Sequence, residues 1–340
     1  MTGTFDQFSA KGNFFYVPSV IKSMLHSKNI LGFLYLAFNY GVSYLFFYSI
    51  NSSISEGLLG AAIVFLFPYL IMLSPIGEAI IRIFQGIRKI ENGKKSLIKL
   101  SPLLTEVLSL AKAEYPDFYL DKHFKFYLKD DPAPRAYTIG RRTFCVTTGL
   151  LNCSDEQMKA VLSHEIYHLI HRETDYILLL SSGNFFLTVF AMMINLAIII
   201  GQTMLTIVLS IIDSKDGFFV SLLIGFCSLL QLIFVNSLLW IWTNISVSMV
   251  RSSYKKSEFN ADAFAFELGY GEGLLSYYHR LSGYEGMYAQ ARYNSYFEFL
   301  KEKTKTFSVI TEKQPKIEKR ILKIEEMFRN YEVIEADLLM

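Results

Sequence analysis

Two histidines and a glutamate with the potential for metal chemistry lie together in the sequence His164-Glu165-Ile166-Tyr167-His168. The histidines are four residues apart, so on a helix their side chains lie on one face and can bind the same ion. Neutral imidazole is a good ligand of Zn²⁺. Glu165 follows the first histidine, where its carboxylate can take a proton from a zinc-activated water and pass it to a leaving amine. The spacing predicts a zinc-dependent hydrolase with one Zn²⁺ per chain and Glu165 as its general base.

A catalytic zinc ion needs a third protein ligand and one open position. A third histidine six residues after His168 would complete one known pattern, but Thr174 occupies that position. His171 lies on the same predicted face, yet it is seven residues from His164, which is about 10 Å along a helix axis. Histidines spread over that distance cannot easily share one ion, so the third ligand is expected elsewhere in the chain.

A glutamate in the sequence SEFNADAF is the strongest remaining candidate. This residue is Glu258, and Asp262 lies one helical turn further on. Glu258 could bind the metal while Asp262 holds a ligating histidine through its second ring nitrogen. Glu267 is the alternative ligand, but no carboxylate follows it at the next turn. We therefore predict Glu258 as the third ligand, with His164 and His168 as the other two.

Helices and short strands are expected to position these residues. Ser154 followed by acidic residues is a typical N-cap, and it predicts that the histidine helix begins there. Residues 125–151 contain β-branched and aromatic runs broken by turn residues, which predicts two or three short antiparallel strands. The glutamate segment also has a helical pattern, with Gly269 as its expected C-cap.

The composition predicts a membrane protein, because 52% of the residues are hydrophobic and only 19% are charged. Its net charge of +2 gives no indication of a nucleic-acid partner. Its three cysteines form no Cys-x-x-Cys pair, which argues against a disulfide framework or a thiolate zinc site. Four uncharged stretches are long enough to cross a bilayer of lipid, at residues 30–50, 57–76, 176–212 and 217–250.

Lysines and arginines are concentrated outside the two short loops that would join these stretches in pairs. Positive charge favours the cytoplasmic side, so both termini and the active site are expected in the cytoplasm of a multi-pass protein of the cell membrane. The chain then divides into the segments 1–29 (cytoplasmic), 30–80 (first membrane hairpin), 81–175 (first catalytic part), 176–250 (second hairpin) and 251–340 (second catalytic part).

The sequences TTGLLNCSDEQMKAVLSHEIYHLIHRET and KKSEFNADAFAFELG resemble those of the HtpX-like membrane zinc endopeptidases, relatives of the type I CAAX prenyl proteases. The resemblance implies a mostly α, four-span polytopic membrane protein with a cytoplasmic gluzincin-type α+β catalytic domain. It also implies zinc ligands at His164, His168 and Glu258, with Glu165 as catalytic base and Asp262 orienting a histidine. Implied substrates are misfolded membrane proteins, and processing of a small membrane-associated peptide is equally compatible.

The resemblance further implies that substrate binds along an edge strand, for which the counterpart is PRAYTIG at residues 134–140. Expected substrate contacts are Arg135, Ala136, Tyr137 and Arg320. Strand addition would bind the peptide backbone with little sequence preference.

Three positions depart from the family pattern. Arg135-Ala136 replaces the usual Asn-Ala, Gln314 replaces a histidine upstream of the retained Arg320, and Glu173 replaces an aspartate. Because the first two lie where substrate and oxyanion contacts are expected, an alternative hypothesis is a zinc-binding membrane protein that recruits partners and has weak or no proteolytic activity. Glu165 argues against it, since a binding site has no use for a base.

A transporter with an incidental motif is a third hypothesis, but the uncharged stretches lack the ionisable groups that transporters usually carry.

Overall fold

A computed structural model of the protein describes residues 9–10, 30–90, 95–121, 123–175, 192–193, 195–208, 217–292 and 316–339. Its helices are α1 (Ile30–Asn51), α2 (Ile54–Met72), α3 (Pro75–Phe84), α4 (Lys95–Glu114), α5 (Asp155–Ile170), α6 (Gly217–Ala265), α7 (Gly271–Arg292) and α8 (Ile317–Leu339). Residues 195–208 are also helical. Its strands are β1 (Ser9–Ala10), β2 (Arg88–Lys89), β3 (Leu120–Asp121), β4 (Lys125–Lys129), β5 (Ala136–Ile139) and β6 (Thr143–Thr147).

Four of the strands form one sheet in the order β2-β4-β6-β5. β5 and β6 are antiparallel, as predicted, and the tight turn between them includes Gly140 with φ +59°. β4 and β6 are parallel, which the prediction of antiparallel strands did not anticipate. The chain reverses direction between β4 and β5 and again between β5 and β6, so β4 and β6 run the same way, and β4 pairs with the edge of β6 that β5 leaves open. β5 is thereby left at the edge of this sheet.

The histidine helix α5 begins where the sequence predicts. The Ser154 hydroxyl accepts a hydrogen bond from the backbone of Gln157, and the Gln157 side chain accepts one from the backbone N–H of Ser154. This reciprocal pair satisfies two backbone donors that the first turn of a helix otherwise leaves unpaired. Helix α5 packs against α4, α6, α7 and β5.

The core beneath the site is apolar and fully buried. Leu162 and Ile166 of α5 lie in the same cluster as Leu104 of α4, Phe144 of β6 and Phe264 of α6. Burying a side chain of this size contributes about 1.5–3 kcal/mol relative to leaving it exposed. The histidine helix is thus held by packing on several sides, so its polar face has a fixed position.

A buried carboxylate joins α3 to the turn that precedes β6. Glu78 accepts hydrogen bonds from the backbone N–H of Arg141 and the hydroxyl of Thr143, both at 2.9 Å. A Cβ at Gly140 would collide with the Glu78 carboxylate, and its φ of +59° also favours glycine. The hydrogen bonds fix the turn and, with it, the edge strand β5.

The prediction of a four-span polytopic membrane protein is wrong. None of the helices in the described ranges has both the length and the apolar composition that a membrane crossing requires. The second predicted span shows one reason, because α2 ends at Met72 and Ser74 caps a separate helix, α3. An uncharged run in the sequence is therefore not always one continuous helix. The third predicted span lies partly outside the described residues, at 176–191, 194 and 209–212.

The mostly helical part of the fold-class prediction agrees with the structure, which adds a small sheet to the helices. Residues 217–250 and the glutamate segment form one helix, α6, whereas the sequence suggested two elements. Gly269, the expected C-cap, has φ +87° in a π-helical turn that leads directly into α7. The predicted segment boundaries, bilayer partner and cytoplasmic location stay predictions.

Candidate metal centre

Three side chains from α5 and α6 converge in the interior. The Nε2 atoms of His164 and His168 are 3.3 Å apart. A Glu258 oxygen lies 3.5 Å from the first of these nitrogens, and its other oxygen lies 3.6 Å from the second. Ligands bound tetrahedrally at 2.0–2.2 Å from a zinc ion are separated by about 3.3–3.6 Å. The spacing of these buried atoms therefore fits one zinc ion.

The carboxylate of Glu258 gives a second test of this fit. Its Oε1 atom is fully buried and has no hydrogen-bond partner within the described part of the chain. A buried charged oxygen without a partner is costly, and native structures normally satisfy it. A cation held between Glu258 and the two histidines would satisfy this oxygen. The ligand types and the unpaired oxygen therefore both indicate a metal ion.

Each histidine is oriented by a carboxylate on its other ring nitrogen. His164 Nδ1 lies 2.9 Å from Asp262 Oδ1, and His168 Nδ1 lies 2.9 Å from Glu173 Oε2. Such contacts fix the ring so that Nε2 faces the metal position. The hydroxyl of Ser257 donates a hydrogen bond to Glu173 and holds that carboxylate in place. Glu173, where the family usually has aspartate, thus still reaches the histidine.

These contacts also determine the charge of the histidines when no metal is bound. Burial lowers the pKa of His168, but hydrogen bonds to Glu173 and Glu258 outweigh burial and raise it to about 10. The pKa of His164 is raised in the same way against the effect of burial. A metal ion binds the neutral imidazole, so binding near neutral pH releases a proton from His168.

Glu165 is buried on the same helix and faces the sheet. The hydroxyl of Thr138, on β5, lies 3.5 Å from Glu165 Oε2 and donates toward it. Burial raises the pKa of Glu165, and the neighbouring His168 and His164 partly oppose this. The base candidate therefore lies between the metal ligands and the edge strand.

The structure places the expected substrate contacts in two different environments. Arg135, Ala136 and Tyr137 lie at the start of β5 and are half-buried. Arg320 of α8 is only 2% exposed, and its guanidinium is directed at Glu258 and Asp262. Burial raises the pKa of Glu258, but Arg320 together with His164 and His168 outweighs burial and holds that pKa well below its usual range. Gln314 lies outside the described residues.

Ser257 and Tyr278 belong to this site, but sequence reasoning missed them. Tyr278 of α7 is buried, and its hydroxyl donates a hydrogen bond of 2.7 Å to Asp262 Oδ1. The position of Ser257 directly before Glu258 was the one available signal for the serine. Tyr278 has no motif around it, because its role depends on how α7 packs against α5 and α8.

Replacing Asp262 with asparagine is expected to weaken zinc binding about 10–100-fold, because a neutral amide holds His164 Nδ1 less strongly than a carboxylate. The measurement is a competition titration with a zinc-chelating dye. Glu267→Gln is the matched control, since Glu267 is exposed in the π-helical turn after α6. Unchanged zinc affinity in Asp262→Asn, or a loss in Glu267→Gln, would contradict the assignment.

Comparison with known proteins agrees with this geometry. Residues 103–327 match Peptidase family M48. Protease HtpX from the Corby, Lens and Philadelphia 1 strains of Legionella pneumophila is 42% identical over 55 residues. That stretch is 15% of this chain and 20% of the relative, so the match spans about a fifth of the length of those proteins. No solved structure matches the chain.

Proposed function

This chain belongs to peptidase family M48, and we propose that it is an HtpX-like zinc endopeptidase whose metal is held by His164, His168 and Glu258. One observation carries the proposal: three buried side chains converge beside Glu165, each with a ligand atom within 4.8 Å of the others. When bound, a zinc ion supplies a Lewis acid and lowers the pKa of a coordinated water towards neutrality.

Glu165 acts as the general base in this proposal. Its carboxylate takes the proton of the attacking water and later donates a proton to the leaving amine. Burial favours both steps, because a raised pKa brings the carboxylate closer to the pH at which it must accept and release a proton. Thr138 positions the carboxylate from the side of the sheet. The motif arrangement is that of a gluzincin, with a glutamate as third ligand.

The edge strand β5 is the proposed peptide-binding element. Its inner edge pairs with β6, and it packs against the helix that carries the base. An extended peptide can add to the outer edge through backbone hydrogen bonds, with Arg135, Ala136 and Tyr137 alongside it. The edge strand favours extended peptide segments as substrates, and the resemblance to the HtpX-like endopeptidases adds the proposal that they belong to membrane proteins or membrane-associated peptides. The cytoplasmic face of the cell membrane is the proposed location, as the resemblance to the HtpX-like membrane endopeptidases implies.

Removal and return of the metal test this function. Protein purified with one equivalent of zinc is expected to cleave casein, an unstructured substrate, and to lose that activity when 1,10-phenanthroline removes the metal. Added Zn²⁺ should restore cleavage and Mg²⁺ should not, because two imidazoles and one carboxylate suit zinc. Zinc-loaded protein that cuts nothing would support a partner-recruiting zinc protein instead. Undiminished cleavage by metal-free protein would contradict both the zinc endopeptidase and the partner-recruiting zinc protein.

A further inference from the structure

We propose that Arg320 is a positioning residue that occupies one oxygen of Glu258 and thereby limits this carboxylate to a single ligand oxygen. The inference rests on the proposed zinc function and deepens it. It gives Arg320 a role different from the substrate contact expected from the sequence, because the guanidinium is buried and directed at two carboxylates of the metal centre.

The two oxygens of Glu258 have different surroundings. Oε2 accepts a hydrogen bond from Arg320 Nη1 at 2.6 Å. Oε1 is buried without a hydrogen-bond partner in the described ranges and lies 3.6 Å from His168 Nε2. Hydrogen bonds between a guanidinium and a carboxylate are short and strong because both groups are charged. Oε1 is therefore the oxygen left for a metal ion.

Arg320 is itself held in one orientation. Its Nε and Nη2 atoms donate to the two oxygens of Asp262, at 2.7 Å and 2.5 Å respectively. The ring of Tyr278 covers the guanidinium at 4.4 Å from its central carbon, and the Tyr278 hydroxyl also donates to Asp262. A planar guanidinium with two bonds to one carboxylate cannot turn away from its third partner, Glu258. The arrangement fixes which oxygen of Glu258 is occupied.

The number of ligand oxygens matters for catalysis. A carboxylate can bind a metal through one oxygen or through both, and a catalytic zinc ion needs a position free of protein ligands. A second oxygen from Glu258 would be an additional ligand that crowds this position and raises the coordination number of the ion from four to five. Lysine could not substitute fully, because a single ammonium lacks the fork that joins Asp262 and Glu258. Arg320 also makes α8 a part of the metal centre, although α8 follows α6 by many residues.

X-ray absorption spectroscopy of zinc-loaded protein tests the inference without any substrate. In the wild type, one carboxylate oxygen of Glu258 is expected at bonding distance, whereas Arg320→Gln should gain a second. Cobalt-substituted protein gives an independent measurement, because its visible absorption weakens when a fourth ligand is joined by a fifth. Lys323→Gln is the matched control, since Lys323 is exposed on the same helix and pairs with Glu326. It should match the wild type in both measurements.

Several outcomes would overturn the inference. Two Glu258 oxygens at bonding distance in the wild type would do so directly, whether or not any variant folds. A folded, metal-loaded Arg320→Gln with the wild-type ligand count would also do so. If the glutamine variant does not fold, Arg320→Lys retains the positive charge, and it too should gain the second oxygen. Wild type that binds no zinc would instead contradict the proposed function, so the two failures are distinguishable.

Discussion

Glu165→Gln is expected to lower the turnover number for casein cleavage by about 10²–10⁴-fold while one zinc ion per chain is retained. Glutamine has nearly the same size and shape as glutamate but cannot accept a proton. Glu165 is buried beside the candidate metal ligands and is not one of the three residues that converge on the metal position. The loss should therefore appear in catalysis and leave metal content unchanged. Steady-state kinetics measures the loss of turnover, and elemental analysis of the same preparation measures the zinc content.

Glu156→Gln is the matched control for this substitution. Glu156 is in the first turn of the same helix, with its side chain 65% exposed and paired with Lys159. The Glu156→Gln variant should cleave casein as fast as the wild type. Full activity in Glu165→Gln would mean that another group is the base, and loss of zinc would mean that Glu165 has a structural role. An inactive variant that keeps zinc would also retain bound substrate, which makes it a means of identifying natural substrates.

Replacing Glu258 with alanine is expected to abolish stoichiometric zinc binding and the stabilisation that comes with it. A ligand present at about 100 times its dissociation constant stabilises the folded state by about 2.7 kcal/mol, and the variant should gain none of this. Metal-free Glu258→Ala should also be less stable than metal-free wild type by about 2–3 kcal/mol, because Arg320 loses its charged hydrogen bond to Oε2. Urea unfolding with and without zinc measures both effects.

Glu267→Ala separates the ligand assignment from a general effect of losing a carboxylate. Glu267 is exposed, and it was the alternative ligand considered from the sequence. The Glu267→Ala variant should bind zinc and unfold like the wild type. If Glu267→Ala lost zinc while Glu258→Ala kept it, the third ligand would be Glu267 and the converging geometry would not describe the metal centre.

Helical periodicity and capping chemistry account for what the sequence by itself determined. His164 and His168 lie on one face, and Ser154 caps the helix, because both relations join residues at most four positions apart and follow from helix geometry. Asp262 could be paired with Glu258 for the same reason. The choice of Glu258 over Glu267 likewise rested on a local pattern. Local rules of this kind need no knowledge of the rest of the chain.

Tertiary packing decided the strand pairing and the contacts between residues that are far apart in sequence. The parallel pairing of β4 with β6 depends on which edge β5 occupies, and the contact of Glu173 with Ser257 joins residues far apart in sequence. The packing of α8 against α6 and α7 directs Arg320 at Glu258, a contact that its position in the sequence did not indicate, while its contact with substrate stays a prediction. The four-span prediction is wrong, because none of the helices in the described part of the chain combines the length and the apolar composition that a membrane span requires. Residue types and spacing thus specified the metal chemistry, and the packing of distant helices specified which atoms remain available to the metal.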